Sequence, residues 1–167
     1  MSRAFVKEGD GEDANALPER PLPAHANYVT ARGLAQLQSR VRELAQACEA
    51  LRRDVTDDAG AKPGLRTAER DLRYFNAQLE RAELVAAASD RVGGRVRFGA
   101  RVTFANDAGT EQAVRIVGDD EADAAAGDIS WASPLARALI GARAGDVVTW
   151  RRPAGAAEVE ILRVDYS

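Results

Sequence analysis

Apolar residues recur at alternating spacings of three and four along residues 34–86. In the first half they are Leu34, Leu37, Val41, Leu44, Cys48, Leu51 and Val55. In the second they are Leu65, Ala68, Leu72, Phe75, Leu79, Ala82 and Ala86. That alternation is the a/d seam of a coiled coil. Between the two runs lies Thr56-Asp57-Asp58-Ala59-Gly60-Ala61-Lys62-Pro63-Gly64. Two glycines and a proline within so short a stretch stop a helix and turn the chain. The spacing therefore predicts two helical arms in one antiparallel hairpin. Thr30 is the expected N-cap of the first arm, and Gly33 in its first turn weakens that start slightly.

Beyond residue 94 the period changes to two. Val96, Phe98, Ala100, Val102 and Phe104 alternate with polar or small residues, which predicts a half-buried strand. Asn106-Asp107-Ala108-Gly109 is a turn, and Ala113–Val117 and Ile129–Trp131 are further short strands. Ser133-Pro134 opens a helix carrying Leu135, Leu139 and Ile140, with serine as cap and proline at the first helical position. Val147–Trp150 and a final run through Val159, Ile161, Val164 and Tyr166 complete the sheet. The expected fold class is α+β: a helical hairpin, then a mostly antiparallel sheet with one short helix. The expected divisions are a flexible tail at 1–29, the hairpin at 30–88 and the sheet domain at 89–167. Residues 87–94 are the linker. The tail is expected to be mobile because acidic residues, glycine and Pro18, Pro21 and Pro23 dominate it.

Composition narrows the function classes. The net charge of −3 over 167 residues argues against general affinity for nucleic-acid phosphates. A lone cysteine excludes an internal disulfide framework, and Cys48 on the seam reads as a small buried residue. The single His25 has no metal-binding or catalytic partner nearby in sequence. No apolar run reaches the length of a membrane span and no signal-peptide pattern opens the chain, so a cytoplasmic protein is expected.

Two charged features stand out. Asp54, Asp57 and Asp58 gather at the hairpin tip, where like charges repel and burial offers nothing in return; a site that receives a cation uses such an arrangement. Behind them stand Arg52, Arg53, Lys62, Arg66 and Arg70, a basic collar, followed by Arg73. The second feature is Asp119-Asp120-Glu121-Ala122-Asp123, expected to be solvated loop charge or an interface rather than a second metal site.

Several linked motifs resemble the C-terminal domain of the Gre transcript-cleavage factors. They are Phe98-Gly99-Ala100, Arg115-Ile116-Val117-Gly118-Asp119-Asp120-Glu121-Ala122-Asp123, Ile129-Ser130, and Ser133-Pro134-Leu135-Ala136-Arg137-Ala138-Leu139-Ile140-Gly141. Gly145-Asp146-Val147-Val148, Pro153 and Val164-Asp165-Tyr166 follow in the same order. Thr30-x-x-Gly33 and Leu79 to Val85 extend the likeness over the hairpin, leaving the first 29 residues as an addition.

The resemblance implies an FKBP-like C-terminal domain that docks on the rim of the RNA polymerase secondary channel, against the β′ subunit. It implies a monomer whose coiled coil enters that channel close to the RNA 3′ end. Acidic tip residues there help to hold a second Mg²⁺, retained mainly by the polymerase, which then hydrolyses backtracked RNA; the factor is not itself an enzyme. On this reading Asp54, Asp57 and Asp58 are the catalytic candidates by location, with Asp57 and Asp58 sharing the Mg²⁺. Asp119, Asp120, Ser133, Pro134, Leu135 and Arg137 belong to the polymerase-binding surface. Arg52, Arg53, Lys62, Arg66 and Arg70 lie near the RNA.

The sequence also departs from the family. The family's tip run Gly-Asp-x-x-Glu-Asn-Ala-x-Tyr is missing, and counting from Gly33 to Leu79 the hairpin is shorter by about one heptad per arm, or roughly 10 Å of reach. These departures open a second reading, a non-cleaving regulator of the same channel, like the regulator of nucleoside diphosphate kinase or the inhibitory Gre homologues. A prolyl isomerase is a third, suggested by the implied fold alone; the scattered Phe98, Phe104, Trp131, Trp150 and Tyr166 do not compose a proline pocket.

Overall fold

A computed structural model describes residues 17–57, 62–86 and 94–166, with 55–57 as backbone alone. Two helices form the hairpin, α1 (Ala31–Asp57) and α2 (Lys62–Glu80). At 1.5 Å per residue α1 is about 40 Å long. Leu37, Leu44 and Cys48 are buried on the seam, and Leu51 meets α2 near Gly64. Arg52 reaches across to Glu69 at 2.8 Å, and Arg40 lies over the ring of Phe75. These contacts run in antiparallel order, as the spacing predicts.

The turn is tighter than the expected nine residues. The helix continues through Thr56 and Asp57 and resumes at Lys62, so Pro63 and Gly64 sit inside the first turn of α2. Proline is harmless there, because the first turn's N–H groups have no helical acceptor anyway.

The second arm is shorter than its heptads suggest. It ends at Glu80, and Ala82–Leu84 is a strand, β2, paired in parallel with β1 (Asn27–Val29). The pairing claims the backbone of residues 82–84 for β1, and Ala82 and Ala86 leave the helical seam. The same pairing corrects the expected tail. Residues 17–29 lie against α2 and the sheet domain, and Asn27 and Val29 are buried. The rest of the expected tail, residues 1–16, lies outside the described residues, as do 87–93 of the expected linker.

The sheet domain has five strands in the order β5-β4-β3-β7-β6. They are β3 (Arg101–Asn106), β4 (Glu111–Val117), β5 (Asp128–Ser130), β6 (Val147–Arg152) and β7 (Gly155–Asp165). All neighbours are antiparallel except β4 and β5, so the sheet is mixed at one edge. The expected long strand from Val96 shrinks to β3. Gly99 has φ +85°, and its N–H bonds to the Ile116 carbonyl at 2.8 Å, so the chain turns before the strand begins. Val96 and Ala100 are still fully buried.

The short helix α3 (Pro134–Leu139) closes the core. The Ser133 hydroxyl accepts from the Ala136 N–H at 3.2 Å, and proline opens the helix. Leu135, Ala136 and Leu139 pack with Val102, Phe104, Ile116, Val159 and Ile161 from the sheet.

Candidate functional site

The acidic run becomes the junction between hairpin and sheet domain. Asp119–Glu121 form one turn of 3-10 helix after β4. Glu121 is buried, and its carboxylate sits at the N-terminus of α1. It accepts the Thr30 N–H at 3.0 Å, the Thr30 hydroxyl, and the Gly118 N–H at 3.2 Å. Thr30 Oγ1 in turn accepts from the Gly33 N–H at 3.0 Å, so Thr30 caps the helix while Glu121 caps Thr30. A carboxylate here also meets the positive end of the helix dipole.

Two glycines make the approach possible. A Cβ on Gly33 would lie 2.2 Å from Glu121 Cδ, and one on Gly118 would lie 2.5 Å from the Tyr28 carbonyl oxygen. Gly33, a mild weakness for the helix in isolation, is the space that Glu121 fills.

The neighbours complete the junction. Arg32 donates to Asp128 at 2.6 Å and stands 3.8 Å from Glu121; its bond to Asp128 is the main cause that raises its pKa. Asp120 accepts from Gln78 of α2 at 2.7 Å and from the Tyr74 hydroxyl at 3.3 Å. Burial, reinforced by Asp120, pushes the Tyr74 hydroxyl pKa up. Asp119 pairs with His25 at 2.5 Å and accepts from the Ser130 hydroxyl. Asp123 instead caps its own turn, accepting the Ala125 N–H at 2.9 Å. Asp119, Asp120 and Glu121 are thus committed to holding the molecule together. Asp119 and Asp120, expected on the polymerase-binding surface, engage their carboxylates within the molecule, while Asp120 stays exposed.

Of the remaining expected docking residues, Leu135 is only 8% exposed and packs in the core. Pro134 and Arg137 do face outward. With Ala132, Ala138, Thr149 and Arg151 they line a shallow groove of about 330 Å³ between α3 and β6. Ser133 is half-buried and spends its hydroxyl on the helix cap.

At the far end of the hairpin, Asp54 is exposed on the last turns of α1. Asp57 belongs to the helix backbone, and Asp58 lies outside the described residues. Among the described residues no group of three or more potential ligands could hold a metal ion. The basic collar is largely paired along the arms: Arg52 with Glu69 at 2.8 Å, Arg53 with Glu49 at 3.8 Å, and Arg70 with Asp71 at 3.1 Å. Lys62 is exposed and Arg66 half-buried. No helix among the described residues is long and apolar enough to cross a membrane.

The periodicity missed Gln78, which is 1% exposed and lies one position before the seam residue Leu79. Its carbonyl oxygen on the backbone accepts from Asn27, and its amide reaches Asp120. A polar residue on a seam's shoulder, across from an acidic run, is a signal only once the two are known to meet.

A helical hairpin is thus held at one end to a small sheet domain, with Asp54 exposed near the other. Residues 91–166 match the family described as "Transcription elongation factor, GreA/GreB, C-term". The chain is 46% identical over 105 residues to transcription elongation factor GreB of Neisseria meningitidis serogroup B, covering 63% of this chain and 64% of that one. Transcription elongation factor GreA of Thioalkalivibrio sulfidiphilus is 44% identical over 96 residues, covering 57% and 61%. The chain thus spans less than two thirds of the length of these curated relatives. Among solved structures, a GreA/GreB elongation factor from Nitrosomonas europaea is 25% identical, with 83% of this chain and 98% of that one covered and a TM-score of 0.41.

Proposed function

We propose that the protein is a transcription elongation factor of bacterial RNA polymerase. Its C-terminal domain seats on the rim of the secondary channel, its hairpin enters the channel, and the polymerase is stimulated to cleave backtracked RNA. The single observation that supports this best is the junction. A hairpin about 40 Å long can deliver a tip to a fixed place only if its base cannot pivot. Thr30, Gly33 and Glu121, with Arg32–Asp128 and Gln78–Asp120, anchor that base at one cluster of bonds.

The Pro134, Arg137 and Arg151 groove is the exposed part of the proposed docking surface. Its two guanidinium groups suit an acidic partner surface. At the tip, Asp54, Asp57 and Asp58 would supply part of the coordination of an Mg²⁺ whose remaining ligands belong to the polymerase. When bound there, the ion would supply the chemistry of water activation and leaving-oxygen stabilisation. The protein's own contribution is placement and negative charge, so it is no enzyme by itself. Arg52, Arg53, Lys62, Arg66 and Arg70 would lie along the RNA.

The short hairpin favours a second reading, in which the tip occupies the channel without completing the site for cleavage. Stalled, backtracked complexes with labelled RNA and Mg²⁺ separate the two. Shortened RNA with the native chain, and none with the triple Asp54→Ala, Asp57→Ala, Asp58→Ala variant, is the expected outcome. Altered elongation without shortening, and the same for both proteins, would transfer the tip from chemistry to channel occupancy.

A further inference from the structure

We propose that residues 17–29 are a strap that fixes the angle between hairpin and sheet domain, with Arg20 and His25 among its side-chain anchors. The strap touches both bodies. On the hairpin, Arg20 lies 3.8 Å above the ring of Tyr74 and 3.6 Å from Asp71. Glu19 meets Arg73 at 2.5 Å, and Arg81 donates to the carbonyl oxygens of Pro23 at 2.8 Å and His25 at 2.7 Å. On the sheet domain, the His25 ring pairs with Asp119 and meets Trp131 edge-on at 5.2 Å. Tyr28 packs on Trp131 at 4.9 Å and on Phe98 at 6.2 Å. The strand β1 then continues the strap into pairing with β2.

The geometry explains why a second attachment matters. Among the described residues, the other side-chain bonds between hairpin and domain converge on one short stretch, with Thr30 and Arg32 reaching Glu121 and Asp128, and Tyr74 and Gln78 reaching Asp120. Two bodies joined at one cluster of bonds keep a rocking freedom about it. The strap adds Trp131 and Phe98, on other segments of the sheet domain, and runs back along α2 as far as Asp71. A link between bodies at separated points resists rotation that one cluster permits. The cation over an aromatic ring and the aromatic edge contacts suit this task, since both weaken when the rings shift.

A distance measurement in the free protein tests the strap without any assumption about polymerase. Spin labels are placed in the full chain by Asp54→Cys near the tip and Glu158→Cys on β7, both exposed positions, while buried Cys48 stays unlabelled. The native strap gives one narrow distance distribution. Arg20→Ala with His25→Ala broadens or shifts it, by roughly twofold in width, while circular dichroism and the melting transition of the sheet domain stay in place. An unchanged distribution in that variant overturns the strap. If the double variant melts early, Arg20→Lys with His25→Gln keeps charge and size and must give an intermediate width; a native width there also overturns it. Loss of polymerase binding by the native chain would defeat the proposed function and leave this result standing.

Discussion

Glu121 is the residue on which the junction depends, and Gly33 is the residue that makes room for it. A helix interior normally prefers alanine to glycine by about 1 kcal/mol. Gly33→Ala should do the reverse here, because the added Cβ displaces a carboxylate held by Thr30 and Gly118. Freeing that buried carboxylate from its donors costs about 1–3 kcal/mol. Urea unfolding should therefore show a net loss of stability; a gain would mean that Glu121 moves aside without cost. The sequence displays Thr30, Gly33 and the acidic run, and its cap is where expected. That these three meet is not legible, because no local spacing connects residues about 90 positions apart. Alternation and turn chemistry report neighbours along the chain, and the junction is made across it. The same limit explains Leu135. Its place in a cap-and-proline motif reads correctly as helix, but which face of a six-residue helix meets the core depends on the sheet beneath it.

At the scale of elements, the seam of α1 follows its heptads closely, and Cys48 is buried as a small apolar residue there. Burial pushes its thiol pKa up, with Glu69 adding to the effect. The raised folded value means that this contribution to stability is complete below the thiol's ordinary pKa of 9.0 and is lost as pH rises through the higher folded value. Alkylation of the native protein at pH 8 should be slow and should track unfolding in denaturant. Rapid labelling in the folded state would show that the seam opens. The end of α2 was less legible. Ala82 and Ala86 keep the heptad spacing and alanine favours helix, yet residues 82–84 pair with β1, so the partner strand overrides local preference. For α3, the surface and core faces give opposite predictions. Leu135→Asp should cost about 3 kcal/mol or more, by removing a core side chain and burying a charge. Pro134→Glu with Arg137→Glu should leave thermal melting nearly native and weaken polymerase capture in a pull-down. Equal capture by that double variant and the native chain would remove the α3–β6 groove from the docking surface.

For the whole molecule, the proposed function turns on where the hairpin points relative to the sheet domain. The structure describes a rod whose base is held by buried carboxylates, a strap and a two-stranded sheet, and whose tip carries an exposed Asp54. Much of that architecture is readable from two periodicities and a change between them. The angle is not, because it is set by contacts among Asp119, Asp120, Glu121, His25 and Tyr28 that lie far apart in sequence. One measurement addresses the reach of the tip directly. A photo-reactive side chain in place of Asp54, on the full chain bound to a backtracked elongation complex, reports what lies within a few ångströms of the tip. A hairpin inserted in the secondary channel crosslinks to residues lining that channel or to the extruded RNA 3′ end, and the crosslink disappears when the groove variant Pro134→Glu, Arg137→Glu prevents docking. Crosslinks to the outer polymerase surface alone, unaffected by the groove variant, would contradict insertion.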